Sequence, residues 1–339
     1  MRRLLRIYVT IFTYLALATA VSAHTYGSDS SRYVLYERVE QNEPDEQTEG
    51  RAGAVPRPTP VPPASVRVPI LMYHYVSSPA ANADRLRREL SVEPAVFEAQ
   101  MRWLKDAGYH TVTLDDVHAH LKFGSPLPDK PIVLTFDDGH IDHYSFVFPL
   151  LRSLEMTGTF FVVADFATYS YTNPDYLSWK QAREMADGGM RIESHARTHH
   201  DLRNRSFKYL VWEVLGSIEQ IEAYTGRRPR FFCYPAGQFD DAVVRMLKSV
   251  EMDGAVTTVH GAQQKLANAY TWPRIRIRYG TTIGEFAAQV AGGAVAAAYP
   301  TPMAPPDPLY SPLATPTPTP TPTSEPPDVE GGVPVEKPG

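Results

Sequence analysis

Two short stretches of this chain hold the residue types that hydrolytic chemistry needs. In residues 131–140, PIVLTFDDGH, the run Ile132 to Thr135 reads as a strand buried on both faces, and Phe136 carries it into Asp137, Asp138 and Gly139. Neighbouring side chains on a strand point to opposite faces, so the two carboxylates converge only if the chain turns, which Gly139 permits. One could then hold a cation while the other stands just off it. An Asp-Gly hairpin turn is the competing reading. Against it, Ile141, Tyr144, Phe148 and Leu151 follow at helical spacing, so strand, acidic turn and helix is the favoured order.

The second stretch, residues 194–202, reads SHARTHHDL and also follows a short strand. His195 and His199 are four apart; on a helical turn both imidazoles would reach a single metal. A pair of surface histidines in a loop is the plain alternative. Two histidines and one carboxylate, with Asp138 as that carboxylate, form a three-ligand set that leaves a fourth position open for metal-assisted hydrolysis.

The elements around them must bring these stretches together. Strand-like segments at 66–72, 110–113, 132–136, 159–163, 190–193, 231–234, 255–258 and 274–277 alternate with helical ones at 94–107, 114–122, 179–187, 207–224, 240–249 and 283–290. Regular alternation implies an α/β fold, a parallel sheet or barrel with helices outside, whose sites lie at the strand C-termini. Asp137 is at one.

The ends are of another kind. Residues 1–23 combine Arg2, Arg3 and Arg6 with an apolar run and Val21-Ser22-Ala23, the pattern of a secretory signal peptide; an uncleaved membrane anchor is the rival reading. Residues 24–65 form an acidic, proline-rich linker and 299–339 a Pro/Thr-rich tail, both expected to be disordered, which leaves 66–298 as one catalytic domain. The net charge of −5 becomes −8 once the first 23 residues are removed, and nothing basic remains to suggest nucleic acid or an anionic membrane as a partner. Association with a cell wall or membrane would run through the N-terminus. Cys233 is the one cysteine, so no internal disulfide forms; between Phe232 and Tyr234 it reads as a small core residue.

TFDDG at 135–139 followed by SHARTHHDL resembles the polysaccharide deacetylases of the NodB type, carbohydrate esterase family four. VPILMYHYV at 68–76, FEAQMRWLKDAGY at 97–109, TFFVVADF at 159–166 and FFCYPAGQFDD at 231–241 support the resemblance. It implies a distorted (β/α) barrel of seven strands. It also implies Asp137 as general base, and Asp138, His195 and His199 as ligands of a divalent metal, Zn2+ first with Co2+ or Ni2+ as alternatives. The reaction implied is removal of N-acetyl groups from N-acetylglucosamine in peptidoglycan, poly-N-acetylglucosamine or a chitin-like chain. The backbone N–H of Ala236, after Pro235, is placed at the oxyanion, and Tyr73 and His74 at the substrate.

Several positions depart from the family. Cys233 stands where many members have an arginine that orients the base, Ala196 where a hydroxyl residue is usual, and Ala236 where an aromatic is usual. The late Leu-x-His, source of the general acid, has no counterpart in WPRIRIR at 272–278, which leaves His74, His140 and His260 as candidates. Two other functions therefore stand beside N-deacetylation: removal of O-acetyl groups from xylan, and a polysaccharide-binding module that keeps the fold but not the chemistry.

Overall fold

The computed structural model describes residues 61–292. The expected signal peptide and tail, and the expected linker up to residue 60, lie outside those residues. The described strands are β1 (Val66–Arg67), β2 (Ile70–Tyr73), β3 (His110–Thr111), β4 (Pro131–Phe136), β5 (Thr159–Val162), β6 (Arg191–Ser194), β7 (Phe231–Cys233), β8 (Gly254–His260), β9 (Gln263–Gln264) and β10 (Trp272–Arg276). Seven of them pair in parallel in the spatial order β2, β4, β5, β6, β7, β8, β10, and β10 returns to β2. The sheet therefore closes on itself, as the expected (β/α) barrel of seven strands. Its distortion lies at β4, whose lower end pairs with β3 and upper end with β2: Thr111 is opposite Ile132, and Ile70 opposite Val133. The single strand expected at 66–72 is broken around Pro69, which has no N–H to donate, and β1 pairs instead with β9 in antiparallel fashion.

Period-two alternation sorts the strand residues between two cores. Ile132, Leu134 and Phe136 of β4 face outward and pack with Phe97, Met101 and Leu104 of the helix Pro94–Asp106. Val133 faces inward and clusters with Phe161, Phe231, Val256 and Trp272. Leu114, Val117 and Leu121 of the helix Leu114–Phe123 join this inner cluster and plug the lumen at its N-terminal end; a capping box between Thr113 and Asp116 fixes where that helix starts. With that end filled, the open mouth is at the strand C-termini.

The helices expected at 141–154 and 207–224 are interrupted by π-helical turns, His143–Val147 and Val211–Leu215. Such a turn re-aims the side chains around it, and each of these carries a fully buried polar residue, His143 and Glu213. Among the described residues no helix is long and apolar enough to cross a membrane.

Candidate active site

β4 ends at Phe136, and Asp137 N still donates to Tyr73 O at 2.9 Å, so the first aspartate keeps the strand's inward parity. The turn begins one residue earlier than glycine alone would require. Asp138 has φ +77° and Gly139 φ +78°, and the left-handed Asp138 swings its carboxylate back to the side of Asp137. A non-glycine residue in this region costs about 1–2 kcal/mol, and such strain collects at functional sites.

The histidine stretch is not the helical turn that the i,i+4 spacing suggested. Ala196 (φ +64°) and His199 (φ +65°) are both left-handed, and the loop folds the two imidazoles together with ring centroids 4.7 Å apart. His195 Nδ1 donates to Cys233 O at 2.7 Å, which leaves its Nε2 as the free lone pair. That Nε2 is 3.2 Å from Asp138 Oδ1, and His199 Nε2 is 3.3 Å from the same oxygen. Donors about 2.0–2.1 Å from a tetrahedral cation are roughly 3.3–3.4 Å from one another, so the carboxylate and the two imidazoles fit a zinc-like ion. Burial would raise the Asp138 carboxyl, but His140, His195 and His199 hold it well below the usual carboxylate range. His195, which burial would lower, is raised by Asp138 and Asp137.

Asp137, His195 and Cys233 form a second three-donor group in the same place. A guanidinium disqualifies it as a cation site. Arg274 on β10 donates through Nη1 to Asp137 Oδ1 at 2.8 Å and through Nη2 to Oδ2 at 2.7 Å. The same side chain donates to Thr135 Oγ1 at 2.9 Å, to Thr257 O at 3.0 Å and to Cys233 Sγ at 3.2 Å. Burial would raise the Asp137 carboxyl, yet Arg274 keeps it well below the usual range. The arginine missing at position 233 is thus supplied from another strand. Cys233 is buried in the inner cluster, the small core residue expected, and burial pushes its thiol up; its Sγ also lies 3.5 Å from Asp137 Oδ2. Arg274 was missed in the sequence, although RIRIR at 274–278 held the signal: alternation sets three arginines on one face of a barrel strand, and a cation facing the lumen requires an anion there.

The loop that carries the histidines is braced by Glu213 from its π-helical turn. Glu213 Oε2 accepts from Arg197 N and Thr198 N, both at 3.0 Å, and Oε1 accepts from Tyr209 OH at 2.9 Å and from the Thr198 hydroxyl. Ala196 offers no hydroxyl, and this buried carboxylate takes over the hold on the loop.

Of the remaining expectations, His74 faces the site: its Nε2 is 3.8 Å from Asp137 Oδ2, and His143 Nε2 donates to its carbonyl at 2.5 Å. Burial, against the pull of Asp137 and Asp138, lowers the His74 imidazole to about 3. Tyr73 is not at the substrate. One residue away on the strand, it has the outward parity, lies fully buried edge-on to Phe97 at 5.1 Å, and donates its hydroxyl to Gln100 Oε1 at 2.9 Å. His140 sits between Tyr75 (3.7 Å) and Tyr176 (5.2 Å), with Nε2 3.3 Å from Asp138 Oδ2. His260 is exposed at the end of β8. Pro235 is buried and Ala236 exposed in the turn Pro235–Gly237 above β7, where Ala236 has φ +52°. Gly237 is obligatory there, since a Cβ would lie 2.3 Å from Thr258 Oγ1.

A family profile described as Polysaccharide deacetylase matches residues 124–255. The crystal structure of a polysaccharide deacetylase from Bacillus cereus is 31% identical, with a TM-score of 0.58 over 67% of this chain and 69% of that one. The deacetylase PplD from Streptococcus pyogenes, solved in complex with acetate, is 28% identical with a TM-score of 0.60 over 66% of this chain and 98% of that one. The poly-beta-1,6-N-acetyl-D-glucosamine N-deacetylase of Escherichia coli is 24% identical over 262 residues, 65% of this chain. The match spans 38% of that enzyme's length.

Proposed function

Because the chain belongs to the polysaccharide deacetylase family, we propose that it is an exported hydrolase that removes N-acetyl groups from an N-acetylglucosamine-containing polymer, with Asp137 as base and Asp138, His195 and His199 as ligands of a divalent metal. The observation that carries this reading is the pocket itself: two imidazole nitrogens 3.2 and 3.3 Å from one carboxylate oxygen, and a fourth group, Asp137, unavailable to the cation because Arg274 holds it.

What a divalent cation, zinc first and cobalt or nickel as alternatives, supplies at these donors is Lewis acidity toward water and the acetyl carbonyl. Asp137 orients the attacking water and takes its proton. Arg274 fixes the carboxylate plane and keeps it ionised throughout the working pH range, so it is always ready to accept. So weak a base must hand the proton on. His74, neutral at neutral pH and 3.8 Å away, receives it and delivers it to the leaving amine. The backbone N–H of Ala236, in the exposed turn after Pro235, is the group assigned to the developing oxyanion.

With Arg274 and His74 present, the binding-module alternative loses its motivation. Poly-beta-1,6-N-acetylglucosamine, named for the Escherichia coli relative, and peptidoglycan are the candidate polymers. The test is acetate release from N-acetylated oligosaccharides and from O-acetylated xylan, with added zinc or cobalt and with chelator. Release from the former, abolished by chelator and by Asp137→Asn with metal still bound, is the expected result. Release from xylan alone would replace the reading with an esterase.

A further inference from the structure

Arg276 follows Arg274 by two on β10, so it shares the inward face and lies one level nearer the open mouth. Its register partner on β2 is Met72, two residues before His74, and Ile277 N donates to Met72 O at 3.1 Å. The charged and titratable groups around it are Asp137, His74, Arg274, Arg278 and Glu89. The two acids are already engaged. Asp137 is held by both Nη atoms of Arg274, and Arg278 Nη1 is 3.5 Å from Glu89 Oε2. Among the described residues, Arg276 makes no hydrogen bond and no ion pair, although it is half-buried and the two arginines beside it are both paired.

A half-buried guanidinium without an anion is expensive to maintain, and its five donors form a planar fork that matches a carboxylate. The charge balance points the same way. Asp137 and Arg274 cancel, as do Arg278 and Glu89, and a divalent cation outweighs Asp138, so the mouth is positive with Arg276 unopposed.

We infer that Arg276 is a substrate-recognition residue that binds a carboxylate carried by the sugar unit at the mouth of the barrel. The inference rests on the deacetylase reading and narrows it: a glycan whose acetylated units bear or adjoin a carboxylate is preferred over a neutral poly-N-acetylglucosamine chain.

The experiment uses metal-loaded full-length protein and two substrates of equal length, a neutral N-acetylglucosamine oligomer and one in which alternate units carry a lactyl carboxylate. Wild type is expected to favour the carboxylated oligomer in kcat/KM by roughly tenfold, the scale of one charge-assisted hydrogen bond, with the gain in KM. Arg276→Gln should erase the preference and Arg276→Lys should retain part of it. Equal kcat/KM on both substrates in wild type, or an unaltered ratio in Arg276→Gln, overturns the inference. So does the outcome in which Arg276→Gln changes only inhibition by sodium acetate, because the carboxylate would then be that of the released product. If neither oligomer yields acetate, the deacetylase reading fails by itself. Calorimetric binding of the carboxylated oligomer to wild type and Arg276→Gln then decides the carboxylate site separately: tighter binding by wild type supports it, and equal binding overturns it.

Discussion

Arg274 on β10 and Asp137 at the end of β4, with β2 between the two strands in the barrel wall, meet inside the lumen as a two-pronged ion pair sealed from solvent. Breaking one side of such a buried pair costs about 3–5 kcal/mol, because the remaining charge is stranded. Arg274→Met is expected to lower the melting temperature. It should also cut kcat/KM by about a hundredfold, the scale of a misoriented catalytic group, while metal binding persists.

The pH profile separates orientation from charge. With Arg274 present, Asp137 is ionised far below neutrality, so the wild-type acid limb does not belong to it. Without the guanidinium, burial is unopposed and raises the Asp137 carboxyl. A base must be ionised to act, so the acid limb of kcat/KM for Arg274→Met is expected to move to higher pH; a superimposable profile would rule out Asp137 as the base. Since Cys233 Sγ is 3.2 Å from Arg274 Nη2, Cys233→Arg in the Arg274→Met background should recover part of the activity from β7.

His140 is expected to tune metal affinity without being a ligand. Its Nε2 stands at Asp138 Oδ2, while His195 and His199, the proposed ligands, stand at Oδ1, and the ring stacks with Tyr75 and Tyr176. His140→Phe keeps the stack and removes the contact to the second oxygen. Competition against a chelator should show about 10–100-fold weaker metal binding, the usual cost of losing an outer-shell partner. Unchanged affinity would reduce His140 to packing.

Glu213 should matter through His199. Two left-handed residues, Ala196 and His199, make the loop conformation unfavourable by itself, and the four hydrogen bonds to Glu213 offset that. Glu213→Ala leaves two part-buried N–H groups without their acceptor, at up to about 1–3 kcal/mol each. Loss of metal affinity is expected together with a lower melting temperature, whereas Glu213→Gln, which still accepts at one oxygen, should keep most of the affinity.

The candidate site was more legible in the sequence than its supports. Asp137, Asp138, His195 and His199 stand out because chemistry constrains residue type, and the β/α alternation because burial constrains period. The supports come from remote positions. Arg274 is 137 residues from Asp137, and Glu213 reaches its loop through a π-turn that a 3.6-residue period does not reveal. Local geometry was the other gap: spacing of four suggested a helical turn at His195 and His199, but the backbone reaches the same convergence with left-handed residues. Tyr73 was misread because a one-residue step along β2 separates the lumen from the helix layer, and only the parity of the strand tells them apart.

On β6, two residues before His195, Glu193 provides a test of stability against pH. It is buried, with Oε2 accepting from Arg230 N at 2.7 Å and Phe231 N at 2.8 Å, and Asp115 lies close by, paired to Arg191 at 2.8 Å. Burial, then the charge of Asp115, pushes the Glu193 carboxyl up to about 8. The unfolded chain loses that proton near the ordinary glutamate value of about 4.3. Between these limits the folded state binds more protons, so this group's stabilising contribution, complete below the unfolded value, declines as pH rises and is gone above about 8. Asp137 and Asp138, whose carboxyls are depressed, act in the opposite sense and only at acid pH. Glu193→Gln keeps an oxygen to accept the two backbone N–H groups and cannot ionise. Thermal melts from pH 5 to 8.5 should therefore show a flatter curve for the variant and a higher melting temperature than wild type at the alkaline end. Parallel curves would mean that Glu193 is ionised throughout, stabilised by Arg191 and the two backbone N–H groups against the cost of burial.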